Sequence, residues 1–267
     1  TIWVKLLLFL KKMIDKNLTF IIPAAGKSSR FKSNQSKIFY KYKNKPLIMH
    51  VVEKCLEHSN KIVIVINAKN KKNLKKILSV YKKINFIYVF QNKAKGMGHA
   101  ISLGLNKSKT KYTSVIWSDQ IFLSLTTITK TISYFKKNNS LLCFPVSKKK
   151  LPYAYILRDT KKKFKDIVQT REGEKVVKSG ESDCGFFVFK TLIVKTMLNK
   201  LIRQKKIITK KTKEIDFLKA FKFFKKNGEI DTVKALSVKD TIGVNTVGDL
   251  IWIYFQSLSQ STMKKAA

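Results

Sequence analysis

The segment from Phe20 to Lys37 (F-I-I-P-A-A-G-K-S-S-R-F-K-S-N-Q-S-K) constrains the fold of this chain more than any other. It begins as a short apolar run, which is typical of a buried parallel strand. The run then breaks into Ala24, Ala25 and Gly26, whose lightly shielded backbone N–H groups can surround an anion. Cationic side chains follow at Lys27, Arg30, Lys32 and Lys37. The segment predicts a phosphate-binding turn, and the alternative is a tight turn with solvated lysines.

Strand and helix patterns alternate through the first half of the chain. Apolar runs predict strands over 61–67, 85–90, 112–119 and 141–146. Helical spacing predicts helices over 46–58, 70–81, 100–105 and 124–137. This order predicts an α/β fold with a mostly parallel sheet and helices on both of its faces. Ligands are then expected at the carboxyl ends of the strands.

The second half of the chain has shorter strand patterns. They cover 153–158, 164–169 and 184–189, and they predict a small mixed-sheet insert after a solvated lysine loop at 148–150. Further helices are predicted over 191–204, 213–227 and from 247 to about 258, with an edge strand over 230–238.

The segment from Gln91 to Ala100 (Q-N-K-A-K-G-M-G-H-A) is the second functional signal. Gly96 and Gly98 flank Met97 just before a helical run. Glycine at such positions lets the backbone lie against a planar ligand or a phosphate. His99, a lone histidine at a helix start, is expected to pack or cap rather than to act as a catalytic base.

Asp119 is the third signal, because it ends the apolar strand Y-T-S-V-I-W-S-D. A carboxylate at the carboxyl end of a strand is well placed to hold Mg²⁺ over phosphate groups, since Mg²⁺ prefers one or two carboxylates together with phosphate oxygens and water. The alternative is an ordinary aspartate that ends a strand or caps a helix.

These motifs resemble those of the sugar-1-phosphate nucleotidyltransferases, and most of all the uridyltransferase domain that makes UDP-N-acetylglucosamine. The first segment is similar to the family's A-A-G-x-G-x-R followed by P-K, without a gap between Gly26, Arg30 and Lys37. Ser28 and Ser36 stand where the family has glycine and proline. The second segment is similar to Q-x-x-x-x-G-T-G-H-A, with Met97 in place of threonine.

The resemblance implies a Rossmann-like three-layer nucleotidyltransferase fold and a role for each matching residue. Gln91 and Gly96 would read the base, with Met97 beside them. Asn245 in G-V-N-T would join Asp119 as a metal ligand; the alternative for Asn245 is a helix N-cap. Ala154, Gln169 and Asp183 lie at sugar-side positions where the family has glycine, glutamate and asparagine. These three changes predict an altered sugar or a loss of activity.

The reaction that the resemblance implies is attack of a sugar 1-phosphate on the α-phosphorus of a nucleoside triphosphate, with UTP favoured and pyrophosphate leaving. The product, an NDP-sugar, would serve cell-envelope or polysaccharide synthesis. Arg30 and Lys37 would neutralise the triphosphate, Mg²⁺ would bridge the substrates, and Ala24, Ala25, Gly26 and Lys27 would contact the nucleotide. A nucleotide-binding relative without catalysis is the first alternative.

The net charge of +40 suggests a second alternative, a nucleic-acid-binding protein. Only four of the 56 basic residues are arginine, the side chain favoured for bidentate phosphate and base contacts. The lysines are also spread over nearly the whole chain rather than along one stripe. We therefore expect loose, salt-sensitive adhesion to polyanions and no specific nucleic-acid partner.

The chain is expected to form one domain over 13–267, after an extension of residues 1–12 that is apolar but too short to span a bilayer. Three scattered cysteines indicate a reducing compartment, so a cytoplasmic location is predicted. No repeat follows the G-V-N-T segment, which predicts that the family's hexapeptide-repeat acetyltransferase half is absent. The oligomeric state is left open, with a homo-oligomer as one option.

Overall fold

The computed structural model describes residues 14–26, 31 and 35–251. The strands are β1 (Leu18–Pro23), β2 (Lys41–Tyr42), β3 (Lys45–Pro46), β4 (Ile62–Ile66), β5 (Ile87–Phe90), β6 (Tyr112–Ile116), β7 (Leu142–Lys150), β8 (Ala154–Arg158), β9 (Phe164–Gln169), β10 (Ser179–Asp183), β11 (Phe186–Lys190) and β12 (Ile230–Lys234). The α-helices are α1 (Leu47–Leu56), α2 (Lys71–Leu78), α3 (Met97–Leu105), α4 (Leu125–Lys137), α5 (Thr191–Arg203) and α6 (Phe221–Phe224).

Eight of these strands form one sheet. Its order is β10-β7-β11-β6-β1-β4-β5, and β12 pairs with β7. Strands β6, β1, β4 and β5 are parallel neighbours, whereas β11 runs antiparallel to β6 and to β7. The mostly parallel sheet predicted from the sequence is confirmed, and the carboxyl ends of its four parallel neighbours meet at one edge.

Helices cover both faces of this sheet because its strands are apolar on both sides. On one face, α1, α2 and α4 pack on Phe20 and Ile22 of β1. On the other face, α3 and α5 pack on Ile21 of the same strand. Successive strand residues point to opposite faces, so the alternation along β1 divides the core into two layers. The three-layer architecture is therefore confirmed.

Strand β7 is longer than its apolar run, and here the sequence prediction was wrong. Residues 148–150, predicted as a solvated loop, continue β7 and pair with β10, with Glu181 opposite Lys148 and Ser179 opposite Lys150. Their exposure alternates along the strand. Three successive lysines do not have a typical strand pattern. This segment forms a strand because it pairs with β10, which lies some 30 residues further along the chain.

The predicted mixed-sheet insert is smaller than expected. Strands β8 and β9 form a separate antiparallel pair. The third predicted strand of the insert, over 184–189, is instead β11 of the central sheet, where it lies between β6 and β7. The register along β7 shifts between β10 and β11, and Cys184 and Gly185 lie at that shift.

The helix predicted over 213–227 is broken. Residues 213–217 are not helical, and the remainder divides into short 3-10 and α segments from Leu218 to Asn227. Phe217, Phe221 and Phe224 have helical spacing and are fully buried in an aromatic cluster with Phe164 of β9. Ile215 lies outside any helix and forms an isolated β-bridge with Ile208.

Other bounds differ by a few residues. Strand β5 begins at Ile87 rather than at 85, and β12 ends at Lys234 rather than at 238, where a 3-10 helix begins. The final helix begins at residue 247 and is described to residue 251; its predicted end lies outside the described residues, as do residues 1–12. No helix of the described part has both the length and the apolar character needed to cross a membrane.

Candidate active site

The candidate site lies where the parallel strands end. β1 leads into Ala24, β5 into Gln91, and β6 into the turn that carries Asp119. Backbone bonds hold these exits together: Ala24 N donates to Val65 O at 2.7 Å, and Gln91 N donates to Ile66 O at 2.9 Å. Segments nearly 100 residues apart in sequence therefore meet at one sheet edge, as expected for a ligand site in an α/β fold.

The turn after β1 combines buried alanines with an open glycine. Ala24 and Ala25 are 4% and 8% exposed. Gly26 is exposed, and a Cβ built on it meets nothing within 4 Å among the described residues. No described residue outside the turn covers Gly26, as a phosphate-binding turn would require. Lys27, Ser28 and Arg30 lie outside the described residues, and their predicted roles stay predictions.

Lys37 and Asp119 form the ionic centre of the site. Lys37 Nζ donates to Asp119 Oδ2 at 2.5 Å, and it lies 3.4 Å from Val244 O. Val244 N in turn donates to Asp119 O at 3.1 Å. Both side chains are mostly buried, at 19% and 13% exposure. A charge pair that is largely shielded from water is much less screened than one on the surface.

Asn245 lies beside this pair but does not act as the helix cap. Asn245 Nδ2 donates to Gly243 O at 3.2 Å. The cap is Thr246, whose Oγ1 accepts from Asp249 N at 3.0 Å while Asp249 Oδ2 accepts from Thr246 N at 2.8 Å. This reciprocal pair is a capping box. The N-cap position is therefore filled by Thr246, and the N-cap alternative for Asn245 is wrong.

The side chains around Asp119 fit a divalent cation whose coordination shell is completed by phosphate oxygens. Asp119 Oδ1 is buried and has no hydrogen-bond partner among the described residues. Asp119 Cγ and Asn245 Nδ2 lie 3.5 and 3.4 Å from the position of a Cβ built on Gly243, so both side chains border the same glycine. Within the described part of the chain, no cluster of three or more His, Cys, Asp or Glu could hold a metal without other ligands. The arrangement suits Mg²⁺, which relies on few carboxylates.

Gln91 is held in place by His99. Gln91 is 6% exposed, and its Nε2 lies 2.8 Å from His99 Nδ1 and 3.2 Å from Gly96 O. Burial lowers the pKa of His99, and the charge of Lys95 acts in the same direction. The neutral ring can accept the Gln91 amide hydrogen at Nδ1. His99 packs and orients its neighbour, in agreement with its predicted role.

The two glycines after Gln91 face the chain itself. Gly96 has φ +93°, and a Cβ there would lie 2.6 Å from Ile215 O. A Cβ on Gly98 would lie 3.0 Å from the same oxygen, which accepts the Gly98 N–H at 2.8 Å. The sequence suggested that these glycines let a ligand lie against the backbone. In the structure, the backbone of Ile215 lies there instead. Met97, at 36% exposure, begins α3 between these glycines.

Two of the predicted sugar-side residues, Gln169 and Asp183, interact with Asp216, which sequence reasoning missed. Ala154 and Gln169 are register partners in the β8–β9 pair, and both are buried. The Gln169 side chain hydrogen-bonds Asp216, and the charge of Asp216 contributes to the raised pKa of Asp183. Burial is the main cause of the raised pKa of both carboxyls. Asp216 was concealed because its segment was predicted to be helical.

The profile of the MobA-like NTP transferase domain matches residues 20–183. This span runs from within β1 to the end of β10 and includes the turn after β1, Lys37, Gln91 and Asp119.

The chain belongs to the MobA-like NTP transferase family.

Sequence relatives of this NTP transferase include the bifunctional protein GlmU of Thermodesulfovibrio yellowstonii. It is 29% identical over 176 residues, which are 64% of the chain and 38% of the relative. The bifunctional enzyme IspD/IspF of Pelagibacter ubique is 46% identical over 63 residues, which are 23% of the chain and 17% of that enzyme. The matched part is thus less than half the length of either relative.

The fold of this NTP transferase is that of known nucleotidyltransferases. A UDP-glucose pyrophosphorylase solved with UDP-glucose superposes with a TM-score of 0.70 at 21% identity, over 92% of this chain and all of that one. The resemblance to the nucleotidyltransferases, predicted from three short motifs, is confirmed by these comparisons.

Proposed function

We propose that this NTP transferase couples a nucleoside triphosphate, with UTP favoured, to a sugar 1-phosphate and releases an NDP-sugar and pyrophosphate. The observation that carries the proposal is the Lys37–Asp119 pair at 2.5 Å beside Gly243 and Asn245. The same sheet edge carries the open turn at Gly26. The NDP-sugar would be a precursor for envelope or polysaccharide synthesis.

Catalysis in this proposal depends on positioning and on charge. The phosphate oxygen of the sugar 1-phosphate attacks the α-phosphorus, the bond to the β-phosphate breaks, and pyrophosphate leaves with the electron pair. Lys37 shifts from Asp119 towards the triphosphate and, with Arg30, offsets the charge that develops on the leaving group. The backbone at Gly26 and the side chain of Lys27 hold phosphate oxygens, while Ala24, Ala25, Gln91, Gly96 and Met97 contact the nucleoside.

Asp119 and Asn245 would hold Mg²⁺. When bound, the ion would supply positive charge that offsets the charge of the phosphate groups. The buried, unpartnered Oδ1 of Asp119 supports this assignment, since a bound cation removes the cost of burying that oxygen. Displacement of Lys37 from Oδ2 frees a second oxygen of the same carboxylate.

Ala154, Gln169 and Asp183 would form the wall that receives the sugar. Their departures from the family's residues support a sugar other than N-acetylglucosamine, because a site that hydrogen-bonds one sugar discriminates against another. The three cysteines are buried thiols in the structure, which fits the reducing cytoplasm that we propose as the location.

A pyrophosphate-release assay tests the proposal. UTP, CTP, dTTP, ATP and GTP are each combined with glucose 1-phosphate, N-acetylglucosamine 1-phosphate and further sugar 1-phosphates, with Mg²⁺ present. Pyrophosphate and an NDP-sugar from at least one pair support it. Tight UTP binding without pyrophosphate from any pair would favour the inactive relative instead, and tight, sequence-preferring DNA binding would favour the nucleic-acid alternative.

A second candidate is transfer from CTP to the phosphate of a polyol. The observations that favour it are the 46% identity of a 63-residue segment to the bifunctional IspD/IspF enzyme and the likeness in fold to a 4-diphosphocytidyl-2C-methyl-D-erythritol synthase and an inositol-1-phosphate CTP transferase. The same assay separates the candidates when CTP and methylerythritol phosphate are included. Release of pyrophosphate from that pair alone would replace the sugar 1-phosphate in the proposal.

A further inference from the structure

Gln120, the residue after Asp119, carries a buried acceptor atom that has no part in the proposed reaction. The residue is 7% exposed, and its Oε1 has no hydrogen-bond partner among the described residues. Leaving a buried acceptor unsatisfied destabilises the folded state. Native proteins keep few such groups, so this atom calls for a ligand or a function.

Two glycines provide the space for the Gln120 side chain. A Cβ on Gly185 would lie 2.8 Å from Gln120 Nε2, and a Cβ on Gly243 would lie 3.1 Å from it. Any larger residue at either position would press on the amide. The backbone of two separate loops therefore borders the carboxamide, and its position is well defined.

These two loops belong to different halves of the site. Gly185 follows the sugar-side residue Asp183, whose Oδ1 accepts the Gly185 N–H at 2.8 Å. Gly243 borders Asp119 and Asn245, the candidate metal ligands. The Gln120 amide thus lies between the part of the site that would hold phosphate and the part that would hold the sugar.

We propose that Gln120 Oε1 accepts a hydrogen bond from a hydroxyl of the acceptor substrate and so determines which acceptors react. This inference rests on the proposed function and adds a residue to it. With its phosphate beside Asp119, a sugar that extends towards Asp183 passes the carboxamide. An acceptor without that hydroxyl leaves Oε1 unpaired, so the enzyme discriminates against it.

A double-mutant-type cycle tests the inference, in which the enzyme is changed at Gln120 and the substrate at one hydroxyl at a time. Wild type and Gln120→Met are assayed for pyrophosphate release with the best sugar 1-phosphate and with its 2-, 3-, 4- and 6-deoxy analogues. Methionine has a similar volume but no hydrogen-bonding amide. We expect one analogue to react about tenfold less efficiently than the parent with wild type, and about equally well with Gln120→Met.

The Michaelis constants separate binding from a purely structural role. In Gln120→Met, the KM of the parent sugar 1-phosphate should rise about tenfold, whereas the KM of the nucleotide should change less than twofold. Gln204→Met, at the exposed end of α5, is the matched control and should behave as wild type. Thermal denaturation of both variants reports whether the fold is kept.

Several results would overturn the inference while leaving the proposed function intact. One is an active wild type that uses every deoxy analogue as well as the parent, a result that needs no variant. Another is a Gln120→Met enzyme that keeps the wild-type discrimination. A third is an equal rise in both Michaelis constants together with a loss of stability. If wild type turns over no acceptor at all, the proposed function is wrong and the inference fails with it.

Discussion

Lys37 pairs with Asp119 in the structure and is the proposed cation for the triphosphate. We expect Lys37→Ala to lower kcat by about a hundredfold or more, because one preorganised charge in a site is worth that much. Steady-state pyrophosphate release measures it. Lys226→Ala, at an exposed lysine, should keep full activity. A Lys37→Ala enzyme with near-normal kcat would remove Lys37 from the catalytic centre.

Asp119 is the residue on which the proposed Mg²⁺ site depends. Asp119→Asn keeps the shape of the side chain but removes the charge that attracts the ion. We expect the Mg²⁺ concentration for half-maximal activity to rise at least tenfold, with a lower maximal rate. A Mg²⁺ titration of the variant measures it, beside Glu229→Gln as a surface control. An unchanged Mg²⁺ requirement in Asp119→Asn would place the ion elsewhere.

We expect His99 to make nucleotide binding depend on pH, through its contact with Gln91, the proposed base-reading residue. Because burial lowers the pKa of His99 below its usual 6.5, the ring is neutral at pH 7.5 and accepts the Gln91 amide hydrogen. Protonation of Nδ1 at lower pH removes that acceptor. We expect the KM for UTP to rise as the pH falls through the lowered pKa of His99, and kcat to change little.

The variant His99→Ala identifies the group responsible. It should have a KM for UTP several-fold above that of wild type at pH 7.5, and no further rise between pH 7 and pH 5.5. A wild-type KM that does not change over this range would argue against His99 as the group that positions Gln91.

The loop between β5 and α3 illustrates a constraint at the scale of an element. Gly96 has a positive φ, and its Cα faces the carbonyl of Ile215. Gly96→Ala combines a strained backbone with this collision, so we expect the free energy of unfolding to fall by at least about 1–2 kcal/mol. Urea denaturation measures it. Gly26→Ala, where the added methyl meets no atom of the described residues within 4 Å, is the matched control for stability.

A Gly96→Ala variant as stable as Gly26→Ala would show that Ile215 moves aside at little cost. In that case the loop would not be fixed by its own chain, and the glycine would be required for the ligand alone.

Sequence patterns predicted helices and strands well where the conformation of a segment is set by its own residues. The apolar runs of β1, β4 and β6 are long and clear, so their existence, type and parallel order followed from periodicity. The patterns failed where pairing partners are distant. Residues 148–150 are a strand only because β10 returns to pair with them, and 213–217 leave the helix because Ile215 bonds Lys95 and Gly98.

The site divides in the same way. Short, gap-free motifs predicted that Lys37, Asp119 and Asn245 share one site. In the structure Lys37 contacts Asp119, and Asp119 and Asn245 both lie beside Gly243. No motif contained Asp216 or the carboxamide of Gln120, because each depends on loops that approach from other parts of the chain. Their chemistry is visible only once burial and hydrogen-bond partners are known.

Lys54 makes the stability of the whole molecule depend on pH. Its Nζ donates to Ile121 O, and burial lowers its pKa to about 8. Between pH 8 and the unfolded value near 10.5, the unfolded chain binds more protons, so stability rises with pH in this window. Below about pH 8 both states are protonated, and the full cost of burying the charge is present.

We therefore expect the free energy of unfolding of wild type, relative to Lys54→Met, to increase from pH 7.5 to pH 10. Urea denaturation of both proteins at several pH values measures the difference. Lys137→Met, at an exposed lysine, should run parallel to wild type throughout. Parallel curves for wild type and Lys54→Met would mean that the Lys54 ammonium stays well hydrated.

The position of β11 between β6 and β7 limits how far this protein can be shortened for expression. An expression fragment trimmed to 20–183 would match the family profile and still lose an interior strand. The exposed edges of β6 and β7 would then present unpaired amide and carbonyl groups, which favour aggregation. Gly243 and Asn245 would be missing from such a fragment as well. Trimming for crystallography or tethering should therefore keep the chain at least as far as Asp249.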